Sequence, residues 1–132
     1  MNDYVNRGMD MNEDNRIRKR IDFNDRVLCY KHIITSSNIK PDPAPIRITI
    51  KDISYSGIGI SCNRDLGQGD YLMFNLESGG LTKEFMVEVK WCRYNDGAHD
   101  AGLQFVNLTK EMILFLDGVI RSHLNKRTRL TR

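Results

Sequence analysis

The stretch that decides the fold covers residues 46–62 and reads IRITIKDISYSGIGISC. In its first half, apolar and polar residues alternate, so that three isoleucines share one face, which is typical of a half-buried strand. The alternation breaks at Tyr55 and resumes at Gly57 as a second short strand. This pattern predicts two antiparallel neighbours joined by a tight turn, with a carboxylate and hydroxyls placed at that turn.

The same pattern extends outward from this hairpin. Segments rich in β-branched and aromatic residues are bounded by Gly, Pro, Asn or Asp, and they predict six strands in all, at 26–35, 46–53, 57–62, 71–76, 85–94 and 101–106. Between the last two strands, Asn95-Asp96-Gly97 is a hairpin turn signal. Regular short strands with such turns favour a mainly β fold, a six-stranded antiparallel barrel or sandwich.

The end of the chain changes to helical spacing. Thr109 is the predicted N-cap, and apolar residues follow at the period of one helix face: Ile113, Leu116, Val119, Ile120 and Leu124. We therefore expect three parts: a flexible N-terminal arm at 1–20, a barrel with its C-terminal helix at 21–125, and a basic tail at 126–132.

Composition excludes several classes of protein. Three cysteines are widely spaced, without a Cys-x-x-Cys pair or a neighbouring histidine, which argues against a disulfide framework and against zinc and fits buried apolar residues in a reducing compartment. The first twenty residues contain no apolar core of a signal peptide, and no run is long enough to span a membrane. We expect a cytoplasmic protein without membrane insertion.

The chain shows no catalytic signature. The three histidines are scattered, the serines have no predicted base beside them, and no phosphate-binding glycine loop occurs. The sequence therefore predicts neither an enzyme nor a bound cofactor or metal.

Two motifs carry the binding chemistry. Arg16 and Arg20 form an Arg-x-x-x-Arg pair on the polar arm, and guanidinium groups bind phosphate bidentately and pair with the O6 and N7 edge of guanine. Downstream, Asp52, Ser54 and Gly57 form Asp-x-Ser-x-x-Gly. At a strand end, residues two apart share a face, so we expect Asp52 and Ser54 on one surface, with the carboxylate accepting from guanine N–H groups. Gly57 would supply positive φ or close backbone approach.

The ordered pair of motifs, an Arg-x-x-x-Arg arm followed by Asp-x-Ser-x-x-Gly between the second and third strands, resembles the PilZ domain. The resemblance extends through the strand at 89–93 and the segment 101–105 before the helix. It implies a split-barrel fold that binds the bacterial second messenger cyclic di-GMP. Arg16 and Arg20 would clamp guanine and phosphate, Asp52 and Ser54 would read a guanine edge, and Gly57 would keep the turn open.

The resemblance also implies a regulatory module that controls motility, biofilm or exopolysaccharide output through a downstream effector protein. We interpret Trp91 as a packing residue of the core or barrel rim, and Arg93 as an exposed strand residue that could border the site. Two alternatives stay open: a sequence-tolerant nucleic-acid binder that uses the basic clusters, and a protein adaptor with an inert arm.

Overall fold

The computed structural model describes residues 21–35 and 40–130, with side chains from residue 25 onward except those at 123 and 125–130. This part of the chain contains seven strands and one helix: β1 (Ile21–Cys29), β2 (Lys31–Ile33), β3 (Ile46–Ile53), β4 (Gly57–Cys62), β5 (Tyr71–Ser78), β6 (Leu81–Asn95), β7 (Ala98–Val106) and α1 (Lys110–Leu130). The arm at 1–20 that the sequence predicts lies outside the described residues.

All seven described strands form one antiparallel sheet in the order β1-β3-β4-β7-β6-β5-β2. Its two edge strands are separated in the chain by Tyr30 alone. In a flat sheet, six strand spacings would hold these edges about 29 Å apart, which one residue cannot span. The sheet therefore curls, as the predicted barrel requires.

The strand count differs from the prediction at one place. Residues 26–35 read as a single strand, but β1 pairs with β3 and β2 pairs with β5, so the segment bends at Tyr30 and serves both edges. Sequence periodicity describes a local conformation and carries no information on the pairing partner. One predicted strand thus became two, without a change in fold class.

The hairpin predicted at residues 95–97 is confirmed. Asp96 and Gly97 both have positive φ, at 49° and 82°, and they connect β6 to β7 as a two-residue turn. A turn with two positive φ angles matches the right-handed twist of the flanking strands.

The core lies on the concave side of the sheet. The alternate isoleucines of β3 are at most 1% exposed, and the inward residues of β4, β5, β6 and β7 join them in one cluster. The helix α1 contributes Leu116, Val119 and Ile120 to this cluster. Ile113 and Leu124, which share the predicted apolar face, are 43% and 38% exposed, whereas Met112 and Phe115 pack against the core cluster.

The predicted helix start is confirmed. The Thr109 hydroxyl accepts the backbone N–H of Met112 at 3.1 Å, which satisfies one of the otherwise unpaired donors of the first turn. Lys83 Nζ on β6 donates to Glu111 at 2.5 Å and lowers the pKa of that carboxyl. The helix continues to Leu130 and so includes residues 126–130, which the sequence assigned to a tail. Within the described residues, no helix is long and apolar enough to cross a membrane.

Candidate functional site

Asp52 lies near the end of β3, where a bulge shifts the pairing with β4 between Ile50 and Asp52. Its Oδ1 accepts the backbone N–H of Gly59 at 3.1 Å, from the neighbouring strand. A Cβ at Gly59 would lie 2.7 Å from that same oxygen. The absence of a side chain at Gly59 therefore lets the carboxylate lie flat against β4, half-exposed on the outer surface.

Ser54 does not share this outer surface, and the expectation that it lies on one face with Asp52 is wrong. The side chain is 2% exposed, and its hydroxyl lies 3.3 Å from the carbonyl oxygen of Gly57 and 3.2 Å from the Ser56 hydroxyl. The strand ends at Ile53, so the period of two no longer applies one residue later. Ser54 holds the turn together from inside.

Gly57 is required for close approach and not for positive φ, which this residue does not adopt. A Cβ at Gly57 would lie 2.2 Å from the backbone carbonyl oxygen of Leu103 on β7. The backbones of β4 and β7 meet here, and the Ser56 carbonyl accepts the Phe105 N–H at 3.0 Å. Gly57 therefore fixes the turn against the sheet.

The turn is also tied to the helix. The Tyr55 hydroxyl donates a short hydrogen bond to the carboxylate of Asp117 on α1. The same carboxylate accepts from Arg121 Nε at 2.6 Å, which raises the pKa of Arg121. The hydrogen bond between Tyr55 and Asp117 therefore couples the position of the turn to the middle of α1.

A pocket of about 250 Å³ opens beside Asp52 on the outer face. Its walls carry the side chains of Lys51, Asp52, Trp91, Arg93 and Asp100, and its floor is formed by Gly59, Ala101 and Gly102. The small residues of the floor come from β4 and β7, so the depth of the pocket results from missing side chains on two paired strands.

Trp91 lies at the rim of this pocket and outside the core. The side chain is 46% exposed, and a Cβ at Gly102 would lie 2.2 Å from its indole Nε1, which shows that the ring covers Gly102. The Arg93 guanidinium lies 5.1 Å from the ring centroid, within range of a cation–π contact. A bulge between Val89 and Trp91 turns this end of β6 so that both side chains face outward.

The pocket is lined by side chains of both charges, two basic and two acidic. Lys51 Nζ lies 3.5 Å from Asp100 Oδ1, and Arg93 and Asp52 stand at other parts of the same wall. A ligand with a planar aromatic ring, N–H donors and an anionic group would find a stacking surface, a carboxylate acceptor and cations here.

The structure thus describes three of the five predicted site residues: Asp52 in the pocket, and Ser54 and Gly57 in the supporting turn. Arg16 and Arg20 lie outside the described residues. Sequence reasoning missed Lys51, Gly59 and Asp100. The spacing of Trp91 and Arg93, two apart on a strand, was a usable signal, since it predicts a shared face.

Burial raises the pKa of the Cys29 and Cys62 thiols, so both stay protonated at neutral pH. Each donates its S–H to a backbone carbonyl, Cys29 to Lys31 at 3.3 Å and Cys62 to Arg64 at 3.1 Å. These two cysteines behave as the small buried residues that the sequence indicates.

Comparison with known proteins identifies the class. The PilZ domain family matches residues 16–121, which is most of the chain and includes both arginines and the whole turn. The chain therefore belongs to the PilZ family. No curated protein matches it at a significant level.

A solved structure agrees with this assignment. The chain is similar to the structure described as the PilZ domain with c-di-GMP of YcgR from Escherichia coli, with a TM-score of 0.64 over 86% of this chain and 94% of that one. The two share 16% sequence identity, so the likeness concerns the fold. The predicted fold class is confirmed: a mainly β, curled antiparallel sheet with a C-terminal helix.

Proposed function

We propose that this protein binds cyclic di-GMP in the pocket beside Asp52 and acts as a ligand-switched regulatory module. The observation that carries the proposal is the half-exposed carboxylate of Asp52, held by the Gly59 N–H next to an exposed indole and a guanidinium. Membership in the PilZ family and the ligand named for the similar YcgR domain support the choice of nucleotide.

Each ligand feature has a counterpart in the proposed site. The Asp52 carboxylate accepts the N1–H and N2–H₂ donors of one guanine. The exposed face of Trp91 stacks on a base, as aromatic side chains do in nucleotide sites, while Arg93 and Lys51 offset phosphate charge. Because guanine presents this donor pair on its edge and adenine does not, Asp52 selects for guanine.

The turn residues take a supporting role in this proposal. Ser54 is buried against the Gly57 carbonyl, so it acts on the ligand through the position of Asp52 and the turn. Gly57 acts in the same way, through its contact with β7. Both remain part of the site because the carboxylate depends on the geometry that they fix.

Arg16 and Arg20 complete the site by closing over the ligand from the N-terminal side. Ordering backbone costs about 1–2 kcal/mol per residue, and charge-assisted hydrogen bonds of about 1.5–3 kcal/mol each offset this cost. The closed segment then presents a surface to a downstream effector protein, so that the nucleotide shifts the population between two states.

Calorimetric titration with cyclic di-GMP tests the proposal. We expect saturable binding in the micromolar range or tighter, lost in Asp52→Asn and in Arg20→Ala while both variants stay folded by circular dichroism. Two control variants should bind like the parent. Asp96→Asn changes an exposed aspartate at a position whose positive φ suits asparagine, and Arg26→Ala removes an exposed strand arginine.

An absence of heat and binding at micromolar concentration would end this assignment. Steeply salt-dependent binding to single-stranded oligonucleotides, with indifference to cyclic di-GMP, would favour the nucleic-acid alternative instead.

A further inference from the structure

A group of metal-ligating side chains lies away from the nucleotide pocket, at one end of the sheet. Asp65, Cys92 and His99 each offer one ligand atom, and these atoms lie within 4.8 Å of one another. The three residues are distant in sequence and come from the segment after β4, from β6 and from β7.

Strand pairing explains why they meet. His99 on β7 is paired with Cys62 on β4 and with Tyr94 on β6, and Cys92 is paired with Ala101. Because side chains alternate along a strand, Cys92 and His99 share the inner face, whereas their neighbours Arg93 and Asp100 point into the outer pocket. Asp65 follows β4 by three residues and reaches the same end of the sheet.

His99 provides an independent indication that this end of the sheet binds an ion. Its Nδ1 atom is buried and has no hydrogen-bond partner among the described residues. The nearest carboxylate oxygen, Asp65 Oδ1, is 3.8 Å away, too far for a hydrogen bond. Burying a ring nitrogen without a partner is unfavourable, so this atom is a candidate ligand for a bound ion.

The separation between His99 and Asp65 fits a zinc ion, and all three ligand atoms lie within 4.8 Å of one another. Zinc bonds of about 2.0–2.3 Å at tetrahedral angles place two ligand atoms about 3.3–3.8 Å apart. The separation of 3.8 Å between His99 and Asp65 is at the upper end of this range. The Tyr94 ring packs edge-on against His99 at 5.2 Å and holds the imidazole in place.

We propose that Asp65, Cys92 and His99 form a binding site for Zn²⁺, with water as the fourth ligand. A thiolate, an imidazole and a carboxylate are the donors that zinc takes in open, three-residue sites. Asp65 is 86% exposed, so ions and water can reach the site from solvent. The bound ion would connect the β6–β7 hairpin to the segment after β4 and stiffen the strands beneath the nucleotide pocket.

The absorbance of bound Co²⁺ tests this site directly. The full chain, reduced and stripped with a chelator, is titrated with Co²⁺ while absorbance is recorded, and Zn²⁺ is then added. We expect one Co²⁺ per chain, visible bands of tetrahedral cobalt, a near-ultraviolet thiolate-to-cobalt charge-transfer band, and loss of all bands when Zn²⁺ displaces cobalt.

Single substitutions show which side chains bind the metal ion. Cys92→Ser should abolish the charge-transfer band, and His99→Gln should weaken binding at least about tenfold, since even outer-shell changes cost about 10–100-fold. Asp65→Asn alters an exposed side chain, leaves the fold intact and should weaken binding by a similar factor. Cys29→Ser and Asp96→Asn serve as matched controls that should leave the spectrum unchanged.

Three results would overturn the proposal: no saturable cobalt binding, a charge-transfer band that survives Cys92→Ser, or an Asp65→Asn variant that binds like the parent. The readout does not involve cyclic di-GMP, so it stands or fails separately from the proposed nucleotide binding.

Discussion

Two aspartates of this protein accept the same kind of hydrogen bond, from a glycine N–H, but differ in exposure and in role. Asp52 accepts the N–H of Gly59 at 3.1 Å, and Asp70 accepts the N–H of Gly67 at 2.9 Å. Asp52 is half-exposed and lines a pocket, whereas Asp70 is 2% exposed. The same hydrogen bond from a glycine N–H thus holds one carboxylate at a surface pocket and the other inside the protein. The residues packed around each carboxylate decide which role it has.

The surroundings of Asp70 show the second case. His32 Nε2 on β2 donates to Asp70 Oδ2 at 2.8 Å, and Arg64 Nη1 donates to the other ring nitrogen of His32 at 3.3 Å. Arg64 also donates to the Ala44 carbonyl at 2.6 Å. This chain of contacts ties the short edge strand β2 to the segment between β4 and β5 and buries the Asp70 carboxylate.

Replacing the buried carboxylate of Asp70 should have the largest effect. Asp70→Ala leaves the donors of His32 and Gly67 without a partner, and each such buried group costs about 1–3 kcal/mol. We expect the free energy of unfolding to fall by about 3 kcal/mol or more, measured by urea denaturation. Asp52→Ala is the matched control and should cost less than about 1 kcal/mol while abolishing nucleotide binding. Equal losses of stability in the two variants would remove the distinction between the regions.

A second contrast lies within the turn that carries Asp52. Gly57→Ala places a methyl group 2.2 Å from a backbone oxygen that cannot move freely, so we expect a loss of about 2–3 kcal/mol in unfolding free energy. Gly59→Ala meets only the flexible Asp52 side chain, at 2.7 Å. Its cost in stability should be about 1 kcal/mol or less, with at least a tenfold loss of cyclic di-GMP affinity. A Gly59→Ala variant that binds normally would place the ligand elsewhere.

Trp91 should affect binding alone. Stacking on an aromatic side chain contributes about 1–3 kcal/mol per base, so Trp91→Ala should weaken cyclic di-GMP binding by roughly 5–150-fold in calorimetry. The melting temperature should hardly change, because the side chain is 46% exposed. Tyr30→Ala, an exposed aromatic residue 70% accessible at the edge of the sheet, is the control and should bind as the parent does.

The smallest effect is expected at the link between the turn and the helix. Tyr55→Phe removes the hydrogen bond to Asp117 and should cost about 1 kcal/mol, a fall of roughly 3–5 °C in melting temperature for a domain of this size. Tyr71→Phe is the matched control, because the Tyr71 hydroxyl makes no hydrogen bond within the described part of the chain. Identical melting temperatures for the two variants would show that the turn is not coupled to α1.

Local patterns predicted most of the strands, because each depends only on neighbours in sequence. The isoleucines of β3, the turn at Asp96-Gly97 and the Thr109 cap all follow from period, φ preference and hydrogen-bonding side chains. The bend at Tyr30 was missed because β1 and β2 are adjacent in sequence but form opposite edges of the sheet. Ser54 was misplaced because its burial depends on where the strand stops.

By itself, the sequence determined the mainly β fold class, since alternating apolar residues and a Gly-bounded turn limit the chain to few conformations, and its motif identified one pocket residue, Asp52. The pocket walls at Trp91 and Asp100, and the meeting of Asp65, Cys92 and His99, were decided by tertiary structure alone. The reason is physical: register between strands distant in sequence is set by the packing of the whole sheet, and a one-residue shift would move every side chain to the other face.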